Sequence, residues 1–255
     1  MCNKTGMRFA QGVLTATIVG GRDVIEVGAY DVNGSVRPHV ESLEPASYLG
    51  VDITDGPRVD RVLDARDLVA ALGAGSADVV ISTEMLEHVR DWRIVVANLK
   101  GLLRPGGHLL ITTRSLGFPY HAWPYDFWRF ELDDFSRIFA DLEILSLEPD
   151  AAAPGVFLFA RRPDDYSETT PEVALFSIVT GRRQRGVTDE EIASFMATLP
   201  PPSAIPVARR GSTRGPLVAG SRRLGRTVRR RVIRPVWMRL PETMRRRIKW
   251  AAGRR

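Results

Sequence analysis

The stretch Asp23-Val-Ile-Glu-Val-Gly28 decides the fold. It is a short apolar run that stops on a glycine, the pattern of a buried strand turning sharply at its C-terminal end. Ser47-Tyr-Leu-Gly-Val51 and Ala77-Asp-Val-Val-Ile-Ser82 repeat it, each stopping at polar or acidic residues. Between them, Leu68, Val69 and Leu72, and then Trp92, Ile94, Val95, Leu99, Leu102 and Leu103, recur at helical spacing. Strands alternating with helices predict an α/β fold built on a mostly parallel sheet flanked by helices.

Further out the punctuation is consistent. The helical run ending at Leu103 stops at Arg104-Pro-Gly-Gly107, and His108-Leu-Leu-Ile-Thr-Thr113 is the next strand. An aromatic loop, 117–130, leads to a helix at about 131–140, and Leu142–Leu147 with Gly155–Ala160 supply a terminal strand pair. The first domain is therefore 1–162. A helical extension, 163–202, is expected to hold helices at Pro171–Val179 and Asp189–Leu199, the second opened by the capping pattern Thr188-Asp-Glu-Glu191. Residues 203–221 have the composition of a flexible linker, and 222–255 form a basic amphipathic tail.

Composition narrows the function classes. The net charge of +6 conceals two opposed parts, because 207–255 carry 17 of the 36 Lys and Arg but only one acid, Glu242. The rest of the chain is therefore acidic, and the tail is an arm suited to a polyanion. Cys2 is the one cysteine, which rules out an intrachain disulfide or a thiolate metal cage and fits a reducing cytoplasm. No apolar run approaches the ~20 residues that cross a bilayer. Lys4 and Arg8 before the Gly12–Gly20 run imitate a secretory leader, but a strand follows rather than a cleavage site.

A glycine where a strand meets a helix lets a ligand approach the backbone, and an acid at the next strand's end can hold ribose hydroxyls. Gly28 and Asp52 stand in that relation, although the second glycine of the loop is displaced to Gly34. Over about 20–162 the chain resembles the class I S-adenosylmethionine-dependent methyltransferases, whose fold is a Rossmann-like seven-stranded sheet. The resemblance is carried by Val24-Ile-Glu-Val-Gly28, Tyr48-Leu-Gly-Val-Asp52, Asp64-Ala65, Ala77-Asp-Val-Val-Ile-Ser82, Met85-Leu-Glu-His-Val89 and Leu103-Arg-Pro-Gly-Gly-His-Leu-Leu-Ile111. It implies S-adenosyl-L-methionine as cofactor, with Glu26 and Gly28 along its methionine portion and Asp52 on the ribose. Asp64 and Ala65 would meet the adenine edge, and Thr83 and Glu84 the pocket floor.

Methyl transfer from a sulfonium asks the enzyme to align the acceptor and remove its proton. Glu84-Met-Leu-Glu87-His88 would bring two carboxylates and an imidazole to one face of a helical turn. That set suits a divalent cation such as Mg2+ or Mn2+. The spacing is similar to that of ubiquinone-pathway O-methyltransferases and small-RNA 2′-O-methyltransferases, which implies Glu84, Glu87 and His88 as metal ligands. His121, in the loop after His108–Thr113, is a fourth candidate whose spacing matches neither group closely. Without a metal, His88 and His121 are the candidate catalytic residues.

The segment 117–130 holds seven aromatics. Tyr120, Trp123, Tyr125, Asp126 and Arg129 are expected to contact the acceptor, and Phe127, Trp128 and Phe130 to be mostly core. The segment is similar to one in bacterial glycan-pathway methyltransferases, which implies O-methylation of a saccharide or another polyhydroxylated small molecule. In the tail, Leu224, Val228, Val232, Ile233, Val236, Trp237 and Leu240 recur at helical spacing among arginines. That pattern suits the inner face of an anionic membrane, with nucleic acid or the acidic domain itself as rivals. Two other readings stay open: a membrane-associated adaptor that has lost transfer, and an RNA methyltransferase using the tail.

Overall fold

A computed structural model of the chain describes residues 4–32, 34–121, 126–169 and 171–199. The chain divides into two compact units, Met1–Ile192 and Ala193–Arg255, and the sheet lies in the first. The linker 203–221 and the tail 222–255 fall outside the described residues.

Two helices, α1 (Lys4–Val13) and α2 (Ala16–Val19), precede β1 (Asp23–Val27). There follow α3 (Arg37–Glu41), β2 (Ser47–Asp52), β3 (Arg61–Val62), α4 (Leu68–Leu72), β4 (Ala77–Thr83), α5 (Trp92–Leu102) and β5 (Leu103–Arg114). The two-residue β6 (Trp128–Arg129), α6 (Leu132–Ile138), β7 (Glu143–Pro149) and β8 (Gly155–Arg161) complete the core. Beyond it lie β9 (Leu175–Ser177), β10 (Arg182–Gln184) and α7 (Asp189–Thr198).

Seven strands form one sheet in the order β3-β2-β1-β4-β5-β8-β7. All pairs from β3 to β5 are parallel, and β8 is antiparallel to both of its neighbours. This is the mostly parallel Rossmann-like sheet expected from the sequence. The chain steps outward from β1 to β3 and then returns to β4 on the other side of β1. Ligands in such sheets bind at this switch point, beyond the strands' C-terminal ends.

Successive side chains of the strands serve opposite faces. Ile25, Val80, Leu109, Ile111 and Leu158 pack with Leu68, Val95, Leu99, Phe135 and Ile138 from α4, α5 and α6. Val24, Val79, Ile81, Leu110 and Phe159 pack with Ala10, Val19 and Val40 from α1, α2 and α3. Burial on both faces explains why the strands read as unbroken apolar runs. The Arg104-Pro-Gly-Gly107 turn lies inside β5 as an irregularity, the pairing with β4 jumping from Leu103 to His108. A Cβ on Gly107 would stand 2.9 Å from the carbonyl oxygens of Arg104 and Asp78, so only glycine fits there.

One expectation is overturned. Pro171–Val179 is not a helix: it contains β9, the centre of a separate three-stranded antiparallel sheet ordered β10-β9-β6. Val173, Leu175 and Ser177 are buried while their neighbours are less so, a period of two that wins because β6 offers an edge to pair with. The 163–202 extension is thus partly strand. α7 begins where the capping pattern places it, with Glu191 N donating to Thr188 Oγ1 at 3.2 Å and Thr188 N to the Glu191 carboxylate at 3.0 Å.

Candidate functional site

The first half of the site lies at the ends of β1, β2 and β4. Gly28 adopts φ +85°, and a Cβ there would stand 2.8 Å from Met85, so the turn after β1 requires glycine on two grounds. Asp52 closes β2, accepting from Tyr30 N at 3.2 Å and Thr54 N at 2.9 Å. Both oxygens keep lone pairs for further donors. Burial raises the Asp52 carboxyl above its ordinary range, opposed by these backbone hydrogen bonds. Thr83 is buried at the end of β4.

Glu26 is buried one residue before the end of β1, where it accepts from the Tyr48 hydroxyl at 2.6 Å. Burial pushes its carboxyl up to about 7, against the pull of Tyr48 and Arg37. Asp64 caps the 3-10 turn Ala65–Asp67, accepting from Arg66 N at 2.9 Å and pairing with the Arg66 guanidinium at 2.8 Å, with Ala65 packed beneath. Ile53, directly after Asp52, is half-exposed and leaves an apolar side chain at the end of β2 that was not singled out in the sequence.

The second half lies beyond β4 and β5. Leu86–His88 form a 3-10 turn, and Glu84 before it has a left-handed backbone, φ +52°. The turn is not the helical one expected, and Glu84 is outside the group of candidate ligand atoms that Glu87 and His88 form with His121. Glu84 instead forms a buried ion pair with Arg114, which also lies 3.5 Å from Asp150 and 4.1 Å over the Phe118 ring. Burial and the nearby Glu87 carboxylate push Glu84 upward, against Arg114.

Glu87 is fully buried and accepts from Thr113 Oγ1 at 2.8 Å through Oε2. Its other oxygen, Oε1, is buried without a hydrogen-bond partner and stands 3.8 Å from Nε2 of both His88 and His121. One ligand atom from each of these three residues lies within 4.8 Å of the others. His121, the residue weakest in spacing, is therefore the one the fold brings to the cluster in place of Glu84.

The aromatic segment is anchored from three sides. Phe127 N donates to Glu87 O, Ile178 N to Phe127 O, and Phe130 N to Arg114 O, each at 2.9 Å. Phe127, Trp128 and Phe130 are core, as expected. Asp126 and Arg129 are not free to contact an acceptor: both are fully buried and joined by bonds of 2.6 and 2.9 Å. Arg129 spends its remaining donors on the carbonyls of Phe118, Pro119 and Trp128. Burial opposes the charge of Asp126, yet hydrogen bonds from Arg129 and His121 hold its carboxyl at about 2. Tyr120 is half-buried beside them, and Trp123 and Tyr125 lie outside the described residues.

Residues 10–142, more than half of the chain, match the model of a family described as a methyltransferase domain. The chain belongs to that family. With the sheet order above, it has the Rossmann-like fold of the class I methyltransferases. This methyltransferase is 32% identical over 106 residues to a ubiquinone biosynthesis O-methyltransferase of Cronobacter sakazakii, covering 36% of this chain and 42% of that one. It is 33% identical over 112 residues to the protein of the same description from Ralstonia nicotianae, covering 39% and 45%. The matches thus span less than half the length of either relative. Its fold is also that of a chain in the solved complex between the Haloferax volcanii Trm112 methyltransferase activator and the putative methyltransferase. There the TM-score is 0.50 at 14% identity, covering 64% of this chain and 91% of that one.

Proposed function

We propose that this methyltransferase transfers a methyl group from S-adenosylmethionine to a hydroxyl oxygen of a polyhydroxylated acceptor, a saccharide being the first choice. The observation that carries the reading is the convergence of Glu87 Oε1, His88 Nε2 and His121 Nε2 next to the Gly28 turn. Relatives described as O-methyltransferases support oxygen as the target. The Phe118 ring, edge-on to His121 with centroids 5.0 Å apart, supports a ring-shaped acceptor.

S-adenosylmethionine supplies an already activated methyl group, and the residues at the switch point fit it. Gly28 opens the backbone, Asp52 offers carboxylate oxygens to ribose hydroxyls, and Ile53 offers an apolar surface. The acceptor hydroxyl is then held by the Glu87, His88 and His121 cluster, and Thr113 keeps Glu87 turned toward it.

The same cluster fits a divalent cation. Oε1 of Glu87 is orphaned and buried, and the outer atoms of Glu87 and His121 are tied to Thr113 and Asp126, as ligands of metals commonly are. Two imidazoles and one carboxylate favour Mn2+ or another borderline cation over Mg2+. A cation there supplies Lewis-acid activation of neighbouring hydroxyls. A second reading, favoured by the Asp126–His121 bond, has no cation: Nε2 of His121 takes the hydroxyl proton while the oxygen–methyl bond forms and the sulfur–methyl bond breaks.

The tail reading rests on the sequence of 222–255. We propose that it holds the enzyme at the inner face of an anionic membrane, where each basic residue near the surface adds ~1 kcal/mol. Among the described residues no helix is long and apolar enough to cross a membrane.

A labelled-methyl transfer screen against glycans, lipids and RNA, with Mn2+ or with a chelator, tests these readings together. Label in the glycan fraction is expected, label in RNA alone would replace the acceptor class, and absence of label with intact cofactor binding favours the adaptor. Full transfer in chelator leaves His121 as base. Salt-insensitive absence of binding to phosphatidylglycerol vesicles removes the membrane assignment.

A further inference from the structure

The pair Asp126–Arg129 demands an explanation beyond stability, because burying two charges costs desolvation that an apolar pair would avoid. All four described hydrogen bonds to the Asp126 carboxylate come from two residues. Arg129 donates to Oδ1 at 2.6 Å and to Oδ2 at 2.9 Å. His121 donates to Oδ2 from its backbone N at 3.0 Å and from Nδ1 at 2.9 Å. An ionised carboxylate only accepts, so Nδ1 of His121 carries a proton, and in the neutral ring Nε2 then presents a lone pair. That lone pair belongs to an atom 3.8 Å from Glu87 Oε1, in a ring whose centroid is 4.8 Å from that of His88.

We propose that Asp126, itself fixed by Arg129, is a positioning residue that locks His121 in the Nδ1–H tautomer and aims its Nε2 lone pair into the Glu87–His88 cluster. The use of that lone pair, on a cation or on a hydroxyl proton, rests on the function proposed above. The tautomer does not.

The test uses the full chain with ring-15N-labelled histidines, four in all, the His121 signals being assigned by their loss in His121→Gln. Long-range proton–nitrogen correlation at alkaline pH, where imidazoles are neutral, is expected to show His121 as the Nδ1–H form. An Nε2–H or doubly protonated ring overturns the proposal whatever the enzyme's activity. In Asp126→Asn, Arg129 claims the amide oxygen and the amide NH2 faces Nδ1, so the ring should switch to Nε2–H. Mn2+ affinity, or transfer where no cation binds, should then fall about 10–100-fold, with S-adenosylhomocysteine affinity unchanged. A switched tautomer with unaltered Mn2+ affinity and transfer overturns the positioning role. If Asp126→Asn fails to fold, the wild-type spectrum still decides the tautomer. If the wild type neither binds Mn2+ nor transfers methyl, the function reading fails and the tautomer result stands alone.

Discussion

Gly28 and Met85 touch across the switch point, the glycine's missing Cβ leaving room for a side chain that would otherwise lie 2.8 Å away. Met85 sits between Glu84 and Glu87, so the turn assigned to the methyl donor and the turn assigned to the acceptor are packed directly together.

Gly28→Ala should be damaging on both sides of that contact. The Cβ meets Met85 and the backbone is held at φ +85°, a combination expected to cost about 1–3 kcal/mol of stability. S-adenosylhomocysteine affinity should fall at least tenfold. Calorimetric titration and thermal unfolding check both, and a variant with wild-type affinity would remove the close-approach role of Gly28.

Asp52→Ala separates binding from folding. Losing a carboxylate that bonds ligand hydroxyls costs about 1.5–3 kcal/mol, or roughly 10–100-fold in cofactor affinity. The lost bonds to Tyr30 N and Thr54 N should lower stability less, because Asp52 is only partly buried. Equal affinity in titration would show that another residue holds the ribose.

Glu87→Gln tests the acceptor side. Its Oε1 faces two imidazoles and its Oε2 bonds Thr113, so the amide preserves shape and removes charge. The transfer rate should fall by about 10²-fold or more with cofactor binding unchanged. A rate within threefold of wild type would place the acceptor elsewhere.

Glu26 makes stability depend on pH. Its folded carboxyl is raised to about 7, above the unfolded value, so the native state binds a proton more tightly than the unfolded chain. Stability is fullest below the unfolded pKa and declines as pH rises toward 7, by about 3 kcal/mol across the window. Glu26→Gln keeps an acceptor for Tyr48 and should flatten that decline, as read by urea unfolding between pH 4.5 and 8. Parallel profiles for both proteins would exclude Glu26 as the source.

Local pattern was enough to place the central strands, α4 to α6, and Gly28 and Asp52 at strand ends, because buried strands and the turns that end them are specified by neighbours in the chain. By contrast, α1 to α3 and β3 were not legible in it. The grouping of Glu87, His88 and His121 depends instead on tertiary contacts. Glu84 gives its carboxylate to Arg114 and is outside the Glu87, His88 and His121 group. The β6 edge drew Leu175–Ser177 into a strand. Asp126 and Arg129 look like ligand-binding charges in the sequence, yet they satisfy each other in the interior. Each outcome depends on which group, distant in sequence, is close enough to repay the desolvation of a charge or the pairing of a backbone, and local pattern carries no record of that.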